Sequence, residues 1–304
     1  MSESISPNHF VSVIIPVYND SERLQLCLQA LAKQTHPQEQ YEVVVVDNAS
    51  QEDIKSVVNQ FSQARYTYES QPGSYIARNQ GISAAKGNLL AFTDSDCIPS
   101  PDWLERGTKH FLNTPNCGLV AGKISLFFQD PLHPTAVELY EKIVLNFLQD
   151  RKIADHQFGM TANIFTSRAV IESVGSFDSA LKSGGDRNWG QRVFAAGYQQ
   201  IYADDACVRH PARQSYAELQ KRIARLVGGK YDRMMRQNPS STEIAKDILN
   251  TFKPPFRSLY KALKNPELKG PQQKLKFIWI MFFARYVDIT EKMRLYLGGR
   301  SQRG

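Results

Sequence analysis

Asp94-Ser95-Asp96 places two carboxylates two residues apart, directly after the apolar run NLLAFT at 88–93. A run of that composition reads as a buried strand, so both acids leave it at one end, where they can face a single cation. Hard divalent ions prefer oxygen ligands and bridge phosphate oxygens. An ion held there would neutralise the charge that grows on a departing diphosphate. Two more apolar runs end in polar groups: FVSVIIPV (10–17) runs into Tyr18-Asn19, and YEVVVV (41–46) into Asp47-Asn48. In open parallel sheets ligands bind at the carboxyl ends of the strands. Three polar strand ends together are more specific than any one Asp, which alone reads equally well as a cap.

The elements between these runs fit that placement. Asn19-Asp20-Ser21 supplies a helix N-cap before Leu24, Leu26, Leu28 and Leu31. A polar turn, Asn48-Ala49-Ser50, leads into a helix near 52–61, and Gly73 opens another to about Lys86. Strands alternating with helices predict an α/β fold, with a mostly parallel sheet flanked by helices. Further on, a strand is expected over 119–128, a helix over 138–148 and a short strand at 163–165. Gly184-Gly185 reads as a flexible break before a helix from Asp186 to about Ala196. From Ser215 the chain turns helical and basic. Leu219, Ile223, Leu226 and Val227 form its apolar face, with Lys221, Arg222 and Arg225 between. Asn238-Pro239 and Lys253-Pro254-Pro255 are breaks, and a last helix covers 271–297.

The chain has 304 residues, 42% hydrophobic and 22% charged. That excludes a disordered tail, a collagen-like fibre and a small disulfide scaffold. No apolar run reaches the ~18–20 residues of a spanning helix, and MSESISPNHF has no secretory-leader pattern. Cys27, Cys97, Cys117 and Cys207 are dispersed without a CxxC pair, as expected of reduced cysteines in a cytoplasmic protein. The net charge of +7 is uneven: residues 209–304 hold 21 Lys and Arg against 7 Asp and Glu. A basic segment of this kind suits anionic lipid or phosphate. It carries no nucleic-acid-binding signature, so no nucleic-acid partner is expected. The sequence lacks GxGxxG after the first strand, GxxxxGK[ST], HExxH and GxSxG, which disfavours a dinucleotide dehydrogenase, a P-loop enzyme, a zincin and an α/β-hydrolase.

Taken in order, VSVIIPVYN (11–19), VVVVDNAS (43–50), GSYIARNQGISAAKG (73–87), LLAFTDSDC (89–97) and SGGDRNWGQRVFAAGY (183–198) resemble the family-2 glycosyltransferases of GT-A fold. The resemblance covers about the first 210 residues. It implies a Rossmann-like catalytic domain over 1–210, with a nucleotide-sugar half at 1–97 and an acceptor half at 98–210. A helical basic region would follow at 211–304. It also implies a nucleoside-diphosphate sugar donor, UDP foremost, and Mn2+ or Mg2+ as cofactor. Pro16 and Tyr18 would line the base pocket, Asp47 would bond base or ribose, and Arg78 would face the diphosphate with its planar fork of donors. Asp94 and Ser95 would lie on the donor. Asp96, Asp94 and His210 would form the metal set, His210 reading equally as a capping or exposed histidine. Asp186 falls at the position of the catalytic base, where the family usually has Glu-Asp and this chain has Gly185-Asp186; the other reading is a helix N-cap. On the acceptor side stand Gly185, Trp189 and Arg192. Trp189 stacks on a sugar in one reading and packs in the core in another, and Trp103 likewise. His9, His36, His110, His133 and His156 have no assigned role.

No QxxRW motif and no spanning helix is present, which favours transfer of a single sugar over processive synthesis. The expectation is an inverting, metal-dependent hexosyltransferase acting on a carbohydrate or lipid-linked acceptor in cell-envelope polysaccharide or glycolipid synthesis. Two alternatives stand: a nucleotidyltransferase, and a non-catalytic scaffold that binds a nucleotide sugar. FIWIMFFA (277–284), flanked by Lys274, Lys276 and Arg285, is too short to span. It reads as an interfacial helix at the inner face of a membrane with anionic headgroups, as a core helix, or as a homodimer interface.

Overall fold

Runs of β-branched residues buried along their whole length form strands covered on both faces. The computed structural model describes residues 9–253 and 256–301. The leader reading at 1–8 and Pro254-Pro255 of the expected break lie outside the described residues. The chain begins with β1 (Val11–Val17), α1 (Ser21–Leu31), β2 (Tyr41–Asp47), α2 (Ile54–Val58), β3 (Ala64–Tyr68), α3 (Ser74–Ala84) and β4 (Leu89–Thr93). It continues with β5 (Ile98–Pro99), α4 (Trp103–Asn113), β6 (Cys117–Phe127), α5 (Ala136–Ile143), α6 (Gln149–His156) and β7 (Asn163–Ser167). Then come α7 (Arg168–Val174), α8 (Gly185–Ala195), β8 (Gln199–Pro211), α9 (Tyr216–Met235), α10 (Ser241–Thr251), α11 (Phe256–Leu263) and α12 (Gly270–Tyr296).

The eight strands form one sheet, ordered β3-β2-β1-β4-β7-β6-β8-β5. β3, β2, β1 and β4 are parallel to one another, while β7 runs antiparallel to β4 and to β6. Register pairs Val17 with Asp47 and Ile14 with Phe92, so β1, β2 and β4 end along one edge. At the far side β5 pairs antiparallel with β8, Ile98 opposite Arg209. That pairing ties the segment after Asp96 to the last strand.

The chain divides into two compact units. The first comprises 1–125, 148–180 and 185–210; the second comprises 126–147, 181–184 and 211–304. Segments 126–147 and 181–184, expected with the first 210 residues, thus belong to the helical unit. In that unit α5, α9 and α12 share a core that includes Leu139, Leu219, Ile223, Phe277, Ile280 and Leu295. The Ser215 and Glu218 capping box starts α9. Glu141, fully buried, accepts hydrogen bonds from Arg213 at 3.0 Å and Arg222 at 2.9 Å. Arg222, expected between the apolar positions, is largely withdrawn from solvent where it meets Glu141, its side chain 9% exposed, and Leu226, expected on the apolar face, is exposed. The run 277–284 is divided likewise: Phe277, Ile280, Met281 and Ala284 face the core, while Trp279 and Phe282 are exposed. Among the described residues no helix is long and apolar enough to cross a membrane.

Other boundaries shift for local reasons. Leu26 is exposed and Cys27 takes its place in the core, because i, i+3, i+4 spacing from Leu24 selects Cys27 and Leu28. The helix expected over 52–61 shortens to α2, started by the Asp53 carboxylate on the Ser56 amide. The helix expected over 138–148 ends at Ile143. Of the Gly184-Gly185 pair only Gly184 has a left-handed φ, +76°; Gly185 opens α8.

Candidate active site

The site lies at the carboxyl edge of β1, β2 and β4. Asp47 ends β2 and is buried. Its Oδ2 accepts the Tyr66 hydroxyl at 2.9 Å, and its Oδ1 accepts the Ser50 amide at 2.9 Å. Burial and the bond to Asp47 push the Tyr66 phenol up to about 12. Next to it, the Asn48 side chain donates to the carbonyls of Glu69 (3.1 Å) and Gln71 (2.7 Å) and accepts the Gly73 amide (2.7 Å). A second acid at this position could not donate to those carbonyls, so the amide is what closes the 69–73 loop onto β2. Tyr18, 60% exposed, stands free after β1, and Pro16 is half-buried within it.

Arg78 projects from α3 and is only 4% exposed. Its Nη2 donates to Asp94 Oδ1, and its guanidinium lies 5.8 Å from the Tyr75 ring centroid. Its Nε has no hydrogen-bond partner among the described residues, a buried donor still open to an anion. Asp94 therefore answers Arg78. Asp96 has another neighbour, its Oδ2 3.5 Å from His210 Nε2. The ligand atoms of Asp96, Cys97 and His210 lie within 4.8 Å of one another. Asp94, also expected in the metal set, is not in that group and pairs with the buried Arg78 guanidinium. Burial first, and then the nearby Asp96 charge, raise the Cys97 thiol. The carboxylate of Asp96 and the imidazole of His210 fit a divalent ion of the Mn2+ kind. Ser95 donates to Asp20 at 3.0 Å, and Asp20 also accepts Arg23 at 2.6 Å. Burial raises Asp20 despite that arginine.

Asp186 sits in the first turn of α8, half-buried. Gly185 before it lies under the Tyr75 ring: an added Cβ would come within 2.7 Å of it. The backbone amides of Gly185 and Asp186 bond to the Tyr75 hydroxyl, while burial and the Asp186 charge keep that phenol protonated. A side chain at position 185 would meet that ring.

Two expected acceptor-side residues are used elsewhere. Trp189 is fully buried, donates to the Gly175 carbonyl at 3.0 Å and packs on Phe177. It has no face to offer a sugar. Arg192 donates to the carbonyls of Val174 and Ser176, holding the end of α7. Trp103 is also core, bonded to Asn163 at 2.9 Å. The sequence reading missed Tyr66, Tyr75 and Asp20. Only Tyr75 stood within a quoted motif, GSYIARNQG, and its spacing of three from Arg78 is the signal that puts both on one helix face.

The family model for glycosyl transferase family 2 matches residues 12–175. Glycosyltransferase AglE of Haloferax volcanii is 43% identical over 225 residues, 72% of this chain and 72% of that protein. In structure the chain is similar to the mannosyltransferase PcManGT from Pyrobaculum calidifontis in complex with GDP-Man and Mn2+. The TM-score is 0.57 at 19% identity, covering 97% of this chain and 77% of that one. It is also similar to Staphylococcus aureus TarS 1-349 in complex with UDP, with TM-score 0.54 at 17% identity, covering 96% and 93%. Both likenesses show a GT-A glycosyltransferase fold. A strand-ordered set of polar edges on that fold, a family match over more than half of the chain and a relative at 43% identity agree: the chain belongs to glycosyl transferase family 2.

Proposed function

We propose that this glycosyltransferase moves one sugar, with inversion, from a nucleoside-diphosphate sugar to a carbohydrate or lipid-linked acceptor hydroxyl. The observation that carries the reading is the arrangement of Arg78 with Asp94 and of Asp96 with His210 at the edge that Asp47 also lines. Its similarity to proteins whose structures hold GDP-Man with Mn2+, and UDP, supports a nucleotide-sugar donor.

Asp47, fixed by Tyr66 and Ser50, accepts hydrogen bonds from base or ribose, and exposed Tyr18 offers a ring to stack on the base. The open Nε of Arg78 turns to the diphosphate. Asp96 and His210 would hold a divalent ion, Mn2+ or Mg2+, which supplies charge neutralisation to the leaving diphosphate. Asp186 takes the acceptor's proton as the acceptor oxygen attacks the anomeric carbon. The bond from that carbon to the diphosphate oxygen breaks, and the nucleoside diphosphate leaves with the bond's electron pair.

Calorimetric titration with UDP, GDP, dTDP and CDP, each with and without Mn2+, tests the donor site. One nucleotide is expected to bind only with metal, and Asp96→Ala is expected to abolish that binding. Metal-independent binding, or unchanged affinity in Asp96→Ala, refutes the metal assignment. Failure of all four to bind refutes the donor site.

A further inference from the structure

The helical unit leaves one aromatic face without a partner. α12 buries Phe277, Ile280, Ala284 and Val287, and on its other side Leu275, Trp279, Phe282 and Tyr286 are exposed. These four recur at intervals of four, three and four, which is one stripe of a helix. Trp279 is 67% exposed and Tyr286 65%. Exposed aromatics in a row are uncommon on a surface that meets only water. The end of α10 is fastened beside the stripe, since Arg285 donates to the carbonyls of Asn250 (3.1 Å) and Lys253 (2.7 Å). That brings exposed Phe252 and Lys253 to it.

Charge decides the occupant. Lys274 and Lys276 flank the start of the stripe and are exposed. Between 246 and 276 the acids are Asp247 and Glu267. Both are taken by lysines outside that span, Asp247 by Lys292 at 2.9 Å and Glu267 by Lys142 at 2.8 Å. The lysines of that span are exposed and have little compensation among the described residues. A second copy of the same face would set lysine against lysine, which disfavours self-association through it. Trp and Tyr with their polar tips, bracketed by lysines, match instead the boundary between acyl chains and anionic headgroups.

We infer that the α12 stripe docks flat on an anionic lipid bilayer, with Trp279 and Phe282 entering the headgroup boundary and Lys274 and Lys276 meeting lipid phosphates. The inference does not depend on the transfer reaction, so its test needs no substrate.

Trp103 and Trp189 are fully buried, which makes Trp279 the reporter of its own surroundings. Vesicles of phosphatidylcholine with phosphatidylglycerol should blue-shift tryptophan emission and carry the protein down on sedimentation at low salt. Pure phosphatidylcholine vesicles should do so far less. Trp279→Phe should keep sedimentation and lose the shift. Lys274→Glu with Lys276→Glu should weaken vesicle binding by about tenfold or more. All these positions are exposed, and an unchanged melting temperature in each variant confirms the fold. No sedimentation with anionic vesicles, equal binding to both vesicle types, or binding indifferent to the lysine reversals would overturn the inference. So would a dimer in sedimentation velocity that Trp279→Ala dissociates, since that gives the face to a second copy.

Discussion

Replacing Gly185 with alanine tests whether Tyr75 sets the position of Asp186. The added Cβ meets Cε2 of the ring at 2.7 Å and Cδ2 and Cζ at 2.8 Å, whereas ordinary contact starts at 3.4 Å. Ring or helix must therefore give way by about 0.7 Å, the difference between those distances. The ring has little freedom. It stacks on Phe177 at 5.8 Å between centroids, carries the Arg78 guanidinium at 5.8 Å, and its hydroxyl accepts the first amides of α8. Overpacking at such a place costs about 1–3 kcal/mol. That amounts to a fall of about 2–12 °C in melting temperature for a unit of this size. The larger effect is on transfer, because Asp186 follows directly on the displaced residue. A misplacement near 1 Å costs about a hundredfold, so release of nucleoside diphosphate from the sugar donor should fall about ten- to a hundredfold.

Nucleotide affinity separates this from general damage. Asp47 ends β2 and Asp96 lies in the turn after β4, both away from α8, so calorimetric affinity for the nucleotide should stay within about threefold while turnover falls, a loss confined to the reacting geometry. Tyr75→Leu in the Gly185→Ala background removes the obstructing ring and should recover part of the stability, a non-additive coupling of the kind close pairs show. Turnover equal to wild type in Gly185→Ala, or a double variant whose losses simply add, would refute the reasoning.

Three other outcomes are expected. Asp186→Asn should bind nucleotide as the wild type does and lower transfer by about 10²–10⁴-fold; transfer near the wild-type rate places the base elsewhere. Asp94→Asn leaves the Arg78 guanidinium buried without its counter-charge. It should lower stability by about 2 kcal/mol, less than for a fully buried pair because Asp94 is a third exposed. Arg78→Met with Asp94→Asn should recover most of that in a thermal melt, and an additive double variant would argue against the pair. The Tyr66 phenol, raised from 10.0 to about 12 by burial and Asp47, favours the folded state while it is protonated. That contribution is full below pH 10 and is lost as pH rises toward 12. Denaturant titrations should show the alkaline loss in wild type and a smaller one in Tyr66→Phe; identical pH profiles would disprove the bond's role.

What the sequence disclosed was the part built from contiguous buried strands. β1, β2 and β4 are apolar on both faces, so their ends, and with them Asp47, Asp94 and Asp96, could be placed from the runs alone. β3 is half-exposed, β5 has two residues and β8 is rich in polar positions, so none carried a periodic signal. Yet β8 is what brings His210 to Asp96, through the pairing of Ile98 with Arg209. Residues more than a hundred positions apart meet there by sheet topology, which no local pattern encodes. The same holds for Tyr75 and Gly185. Gly185 reads in sequence as part of a flexible break, and only the ring above it shows what an added side chain would meet. Trp189 is core, as one of its two readings had it, and two of the Arg192 guanidinium nitrogens donate to carbonyls at and just after the end of α7, contacts that residue type alone does not disclose.

The Asp94-Ser95-Asp96 triplet shows how two acids of one motif can meet different neighbours. After a strand, alternate residues share a face only while the backbone stays extended. Here β4 stops at Thr93, and Asp94 to Asp96 form a turn in which the Cys97 amide donates back to the Asp94 carbonyl at 3.1 Å. The two carboxylates are thereby freed to diverge. Asp94 meets a buried guanidinium, and Asp96 meets an imidazole from the far strand. A pair that looks symmetric in sequence has different partners, Arg78 for Asp94 and His210 for Asp96. Substitutions at the two positions should therefore have different effects: loss of fold stability at Asp94, and loss of metal-linked nucleotide binding at Asp96.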